Sequence, residues 1–157
     1  MDTITKLKCY KICNVIEVTL EEILLELYIN IEYLGKKKAL KIAISDDGET
    51  ILFSETKHWI ETKDLDSEIY SIKKIDKEES KLGRLLGKRI LDIQFGIGKE
   101  SNGENVIYYV MIKTDDNNCL FFNNGDEGKY VFDEIEAILA DNIYQYRWER
   151  IPPSITI

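Results

Sequence analysis

The stretch Gly87–Phe122, GKRILDIQFGIGKESNGENVIYYVMIKTDDNNCLFF, constrains the fold more than any other. It reads as three successive strands joined by two turn-rich connections. Ile90, Ile93, Phe95 and Ile97 form the apolar part of the first run. Val106–Ile112 is nearly all β-branched or aromatic, as a strand covered on both faces requires. Leu120–Phe122 closes the set, and the intervening KESNGEN and TDDNN segments carry the Gly, Asn, Asp and Ser that turns need. This meander is the expected sheet core.

A similar unit precedes it. Leu27, Ile29, Ile31 and Tyr33 alternate with Tyr28, Asn30 and Glu32, the period of a half-buried strand. Gly35-Lys-Lys-Lys reads as a turn, Ala39–Ser45 as a returning strand, Asp46-Asp-Gly48 as a hairpin turn and Thr50–Ser54 as a third strand. A shift of 69 residues superposes SDDGETILF (Ser45–Phe53) on TDDNNCLFF (Thr114–Phe122), so the two meanders share a plan. Upstream, Lys6–Val18 fits neither helix nor strand period cleanly. Thr19-Leu-Glu-Glu22 matches a capping box, which predicts a short helix to about Glu26. Between the meanders, Glu55–Arg84 is the most charged part of the chain, with a short strand expected within Ile69–Ile75 and a helical turn over Leu82–Leu86 ended by Gly87. After Phe122 come an acidic loop, a short strand at Lys129–Phe132, and a helical turn or edge strand at Asp133–Ala140. A final strand, IYQYRWER (Ile143–Arg150), is stopped by Pro152-Pro153. The fold class expected is α+β, mainly antiparallel sheet built from two β-meanders with one or two short helices. It is expected as a single domain, 1–157, with sheet units about 27–54 and 88–122 and a charged connector 55–84.

Charge narrows the partners. The formal net charge is −8, whereas binding nucleic acid through its phosphates requires clustered Lys and Arg. The densest basic run, Lys36–Lys38, falls in the expected turn, so no nucleic-acid partner is expected. The N-terminus, MDTITKLKCYKIC, lacks the apolar core and small-residue cleavage site of a secretion signal, and no run approaches the roughly 18 apolar residues of a membrane span. Cys9, Cys13 and Cys119 with the single His58 read as free thiols in a reducing cytoplasm.

Catalytic and metal-binding patterns are weak. Cys9-x3-Cys13 would need two more ligands for structural zinc, and only Cys119 and His58 remain. Asp46-Asp47 and Asp115-Asp116 lack the register of a calcium loop and read as turn residues. His58 sits beside Trp59 without a GxSxG partner, and GIGKESNG (Gly96–Gly103) departs from GxxxxGK[ST], precedes a strand and reads as a hairpin loop. No metal and no cofactor are expected. Carboxylate pairs of the hydrolase kind depend on a spatial separation that the sequence leaves open.

The strongest pattern is charge placement. From Asp115 to Asp141 there are eight acids against one base, Lys129, a net −7 that is nearly the whole charge of the chain. The aromatic run Tyr144, Tyr146 and Trp148 follows directly. Carboxylates around aromatic anchors are what an interface for a basic protein uses, and an ordinary solvated face over core aromatics is the competing reading.

LLGKRILDIQFGIG (Leu85–Gly98) followed by a strand pair, the FNNGDEG loop (Phe122–Gly128) and the terminal Tyr/Trp strand resemble the small acidic immunity proteins of bacterial polymorphic-toxin systems, including contact-dependent growth inhibition. The resemblance covers about Leu85–Ile151; Met1–Ser80 matches less well. It implies a cytoplasmic, non-catalytic protein that binds one cognate toxin domain, often a basic nuclease, and occludes its active site or substrate surface. Contacts differ between such pairs, so no residue role carries over. The expected contacts come from the charge pattern: Asp126, Glu127, Asp133, Glu134 and Glu136, with Tyr144 and Trp148 as anchors. Alternative readings are an inhibitor of a host protein carried by a phage or mobile element, a carboxylate-based hydrolase with a deep cleft and two close acids, and a homo-oligomeric structural subunit with a large exposed apolar patch.

Overall fold

The computed structural model describes residues 7–45, 50–125, 127–142 and 144–153. Ten strands run in chain order: β1 Lys11–Leu20, β2 Ile23–Tyr33, β3 Lys36–Ile44, β4 Ile51–Thr56, β5 Ser71–Lys74, β6 Ile90–Lys99, β7 Asn105–Thr114, β8 Asn118–Asn123, β9 Gly128–Val131 and β10 Arg147–Glu149. Among the described residues a helix, α1, spans Ile135–Ala140, and 3-10 turns span Thr62–Asp64 and Lys81–Leu85. Strand makes up 52% of the structure, so the α+β class holds with helix in a minor role. Every pairing is antiparallel.

The strands form one curled sheet. Its order is β10-β6-β7-β4-β3-β2-β1-β5, with β8 and β9 branching from β7. The join between β4 and β7 is one pair, Ile51 opposite Ile107. On the far side the chain before β1 meets the start of β6. Cys9 N donates to Ile90 O at 2.9 Å, Ile90 N to Tyr10 O at 2.8 Å, Ile12 N to Lys88 O at 2.8 Å, and Gly87 N to Ile12 O at 2.7 Å. The pairings therefore run β1-β2-β3-β4-β7-β6 and back to β1, a barrel-like ring with two narrow seams.

Alternation then decides what fills the ring. Val15, Leu27, Ile29, Ile31, Leu40, Ile42, Ile51, Phe53, Ile93, Phe95, Ile97, Val110 and Ile112 are buried in one cluster drawn from all six ring strands. Phe53 and Phe95 meet edge-on, with centroids 4.8 Å apart. Leu82 and Leu85 join this cluster from the 3-10 turn Lys81–Leu85. Each fully buried aliphatic side chain contributes about 1.5–3 kcal/mol relative to exposure, so the interior is a packed core.

Two outer faces are also covered. Over β1 and β2, Ile16, Val18 and Tyr28 pack under Ile60, Leu65, Tyr70 and Ile72. The charged connector is thus docked onto the sheet. Buried Asn30 grips it from both sides, donating to Ile60 O at 2.8 Å and accepting from Ile60 N at 3.0 Å, while Trp59 Nε1 donates to Ile31 O at 2.7 Å. Over β6, β7 and β8 lies the C-terminal segment described below.

Several local expectations are corrected. Thr19–Glu26 holds no helix: β1 runs through Leu20 and β2 starts at Ile23. Glu21 and Glu22 have φ of 52° and 69°, the backbone of a two-residue type I′ hairpin turn, which overrides the capping-box pattern. The next turn is Leu34-Gly35 (φ 49° and 81°), so Lys36–Lys38 belong to β3. There Lys37 lies 4.5 Å over the Trp59 ring and Lys38 5.7 Å over Tyr10, cation–π contacts that account for part of the basic run. The shared plan of the meanders stops at their hairpins. Ile44 pairs with Ile51, but Lys113 pairs with Asn118, so the second loop is two residues shorter. The Asp46-Asp-Gly48 turn lies outside the described residues. Of the expected final strand, Arg147–Glu149 pairs as β10 and the other described residues do not; Ile143 lies outside the described residues.

Candidate protein interface

The site begins with a bulge. β6 and β7 pair Gly96 with Tyr109 and Ile97 with Ile107, leaving Tyr108 as the extra residue. A β-bulge of this kind places consecutive residues on one face, and Tyr108 and Tyr109 both join the outer cluster with Met111 and Leu120. Opposite them, β6 presents glycine at positions 96 and 98, alternating with the buried Phe95 and Ile97. A Cβ at Gly96 would lie 2.9 Å from the Tyr109 ring and 3.2 Å from that of Tyr146. A Cβ at Gly98 would lie 2.6 Å from the Tyr108 ring and nearer still to the Gln145 carbonyl oxygen. The glycines therefore make room for the C-terminal segment to lie directly on the sheet.

That segment is held by aromatic contacts. Tyr146 lies 5.0 Å from Tyr109 and 5.5 Å edge-on from Trp148; Tyr144 stacks on Tyr108 at 4.2 Å with an 11° interplanar angle. Pairs in these geometries add about 0.5–1.5 kcal/mol each beyond their area. Burial, with nearby Tyr146 and Tyr144, pushes the Tyr109 hydroxyl up to about 12, so it stays neutral. Arg150 Nη2 lies 3.8 Å from Asp92 Oδ2 and ties the end of the segment to β6.

The helix α1 completes the cover. Ile135, Ile138 and Leu139 pack on the same cluster, which is a one-sided pattern at helical spacing. Glu134 and Asp141 flank its two ends and Glu136 lies in its first turn, all exposed and without an ion-pair partner among the described residues. Exposed Asp133 precedes them, 3.4 Å from Arg84 Nη1. With the apolar side docked, these four carboxylates are left facing water along the helix and at its two ends, an acidic ridge.

The expected contact residues separate into groups. Asp133, Glu134 and Glu136 share the α1 ridge. Glu127 belongs to the β8–β9 turn, is half-buried, and lies 4.0 Å from Lys129. Asp126 lies outside the described residues. Trp148 is half-buried in the chain's own aromatic cluster, where it fastens β10, while Tyr144 is 43% exposed. Asp115 and Asp116 sit at the β7–β8 turn, and Asp116 pairs with Lys88. The acidic window is therefore divided among two turns and one ridge. Sequence reasoning read Gly96–Gly103 as a hairpin loop, whereas Gly96 and Gly98 lie in β6; their alternation with Phe95 and Ile97 was the available signal for a closely docked segment.

Comparison with protein-family models, with curated proteins and with solved structures finds no match for this chain. Among the described residues, no helix is long and apolar enough to cross a membrane, and no group of three or more His, Cys, Asp or Glu side chains could hold a metal ion.

Proposed function

We propose that this chain is a toxin-neutralising protein of the immunity type, binding a basic toxin domain, such as a nuclease, and occluding its active site or substrate surface. The observation that carries the reading is the α1 ridge. Its carboxylates are held outward by the docking of Ile135, Ile138 and Leu139, and Glu134, Glu136 and Asp141 have no cation of their own among the described residues. An acidic ridge with three of its four carboxylates uncompensated among the described residues attracts a basic protein over a distance set by salt, about 10 Å at 0.1 M. It also competes for the surface that such a protein presents to phosphates. Affinity requires a few buried anchors as well, and exposed Tyr144 is the aromatic group of this face available for that role. The cytoplasm is the compartment in which such a toxin would be met, and the three free thiols fit a reducing environment.

The test is protection. Co-expression of this chain with a toxin domain found encoded beside it should restore growth, and Glu134→Lys with Glu136→Lys should abolish the rescue while leaving the protein folded. Full rescue by that double variant would remove the ridge from the account, and no rescue by the unaltered chain would remove the function.

A further inference from the structure

We propose that the cleft between the end of β6 and the Tyr144–Arg147 segment binds a planar aromatic ligand bearing one anionic group, of the nucleoside monophosphate class. This goes beyond the protein interface, since it assigns a small-molecule site to the cleft that Tyr144 lines, a residue the two proposals share. The cleft has a volume of about 550 Å³, within the range of small-ligand sites. Four features shape it.

The first is a preformed stacking surface. Tyr108 is only 9% exposed and holds the Tyr144 ring parallel at 4.2 Å, while Tyr144 itself is 43% exposed. One face of Tyr144 is therefore fixed in orientation by its neighbour, and the ring keeps substantial area for a second planar group. Aromatic rings presented in this way are how proteins hold bases without sequence readout. The second is the position of that ring. Asn142 accepts from Tyr144 N at 3.1 Å and its amide donates back to Tyr144 O, so both backbone groups of Tyr144 are tied.

The third is Gly98 beside the cleft, whose missing side chain lets Gln145 and the Tyr108 ring approach the β6 backbone. The fourth is charge. Lys99 and Arg147 both line the cleft. Arg147 Nε is engaged by Glu149 at 2.6 Å, which neutralises that charge, whereas exposed Lys99 has no ion-pair partner among the described residues. One uncompensated cation beside an aromatic platform matches one anionic group on a planar ring system. On a chain of net charge −8, a more highly charged ligand would meet general repulsion.

The experiment is calorimetric titration of the purified full chain with adenosine 5′-monophosphate, adenosine and inorganic phosphate at 50 mM salt. The monophosphate should bind saturably, with a Kd on the order of 10–100 μM expected from ordinary ligand efficiency. Adenosine should bind several-fold more weakly, and phosphate more weakly than either. Tyr144→Ala should weaken the monophosphate by about 5- to 100-fold, the worth of one stacked base. Tyr144→Phe should retain the affinity, and Lys99→Gln should bring the monophosphate down to the level of adenosine. No saturable binding of the monophosphate overturns the proposal. So does phosphate binding as tightly as the nucleotide, or an unchanged affinity in Tyr144→Ala. If Tyr144→Ala does not fold, Lys99→Gln decides: an unchanged preference for the monophosphate over adenosine overturns the site.

Discussion

Glu134 is the residue where conformation and proposed role meet. It precedes α1 with φ 60° and ψ 25°, a left-handed backbone that costs a non-glycine residue on the order of 1–2 kcal/mol. Glu134→Gly should therefore raise stability in urea by up to about 1 kcal/mol while weakening toxin binding, a separation that a purely structural role would not produce. Gly98 predicts the opposite sign. Gly98→Ala would press a methyl group against the Tyr108 ring and the Gln145 carbonyl, and should cost about 1–3 kcal/mol as an overpacked contact. Glu17 offers a pH test. It is half-buried on β1 and accepts from Tyr130 Oη at 3.4 Å, and burial raises its carboxyl above the ordinary 4.5 despite that bond and nearby Lys73. A carboxyl with a raised folded-state pKa binds its proton more tightly in the folded chain. Its stabilising contribution is full below the unfolded value and is lost as pH rises through the raised one. Glu17→Gln should therefore stabilise the protein at pH 7, with the gain vanishing below about pH 4. Equal gains at both pH values in thermal melts would contradict this origin.

At the scale of elements, period and composition were enough to place most strands, because one buried face forces alternation and a doubly covered strand forces a continuous apolar run. Val106–Ile112 is the clearest case: residues 107–112 are all buried. Local reading failed where backbone geometry outweighs side-chain pattern. Thr19-Leu-Glu-Glu22 carries good capping chemistry, yet two consecutive left-handed residues turn the chain into a hairpin. The ring closure was not legible, since it depends on hydrogen bonds between residues 9–12 and 87–90 that leave no periodic mark. The C-terminal segment lies between these extremes. Tyr144, Tyr146 and Trp148 were visible as an alternating aromatic run, but their use as fasteners depends on the Tyr108 bulge and the two β6 glycines. Trp148→Ala should accordingly destabilise the fold by about 2 kcal/mol, below the 3–5 kcal/mol of a fully buried aromatic because the ring is half-exposed. It should also speed amide exchange selectively across Tyr144–Arg150, whereas uniform acceleration through β2 and β3 would show that the segment is not a separate unit.

For the whole molecule, the central claim is that an acidic ridge set on a rigid sheet captures a basic protein. The charge of −8 alone would serve solubility equally well; the exposed carboxylates on and beside α1, whose apolar side is docked, are what give it direction. The decisive measurement is affinity capture from the lysate of the source cell, at low and high salt, with the unaltered chain beside the Glu134→Lys, Glu136→Lys double variant. The account predicts one stoichiometric basic protein, retained at low salt, released as salt rises, and lost from the double variant. A partner retained equally by both forms, or no basic partner at either salt, would contradict it.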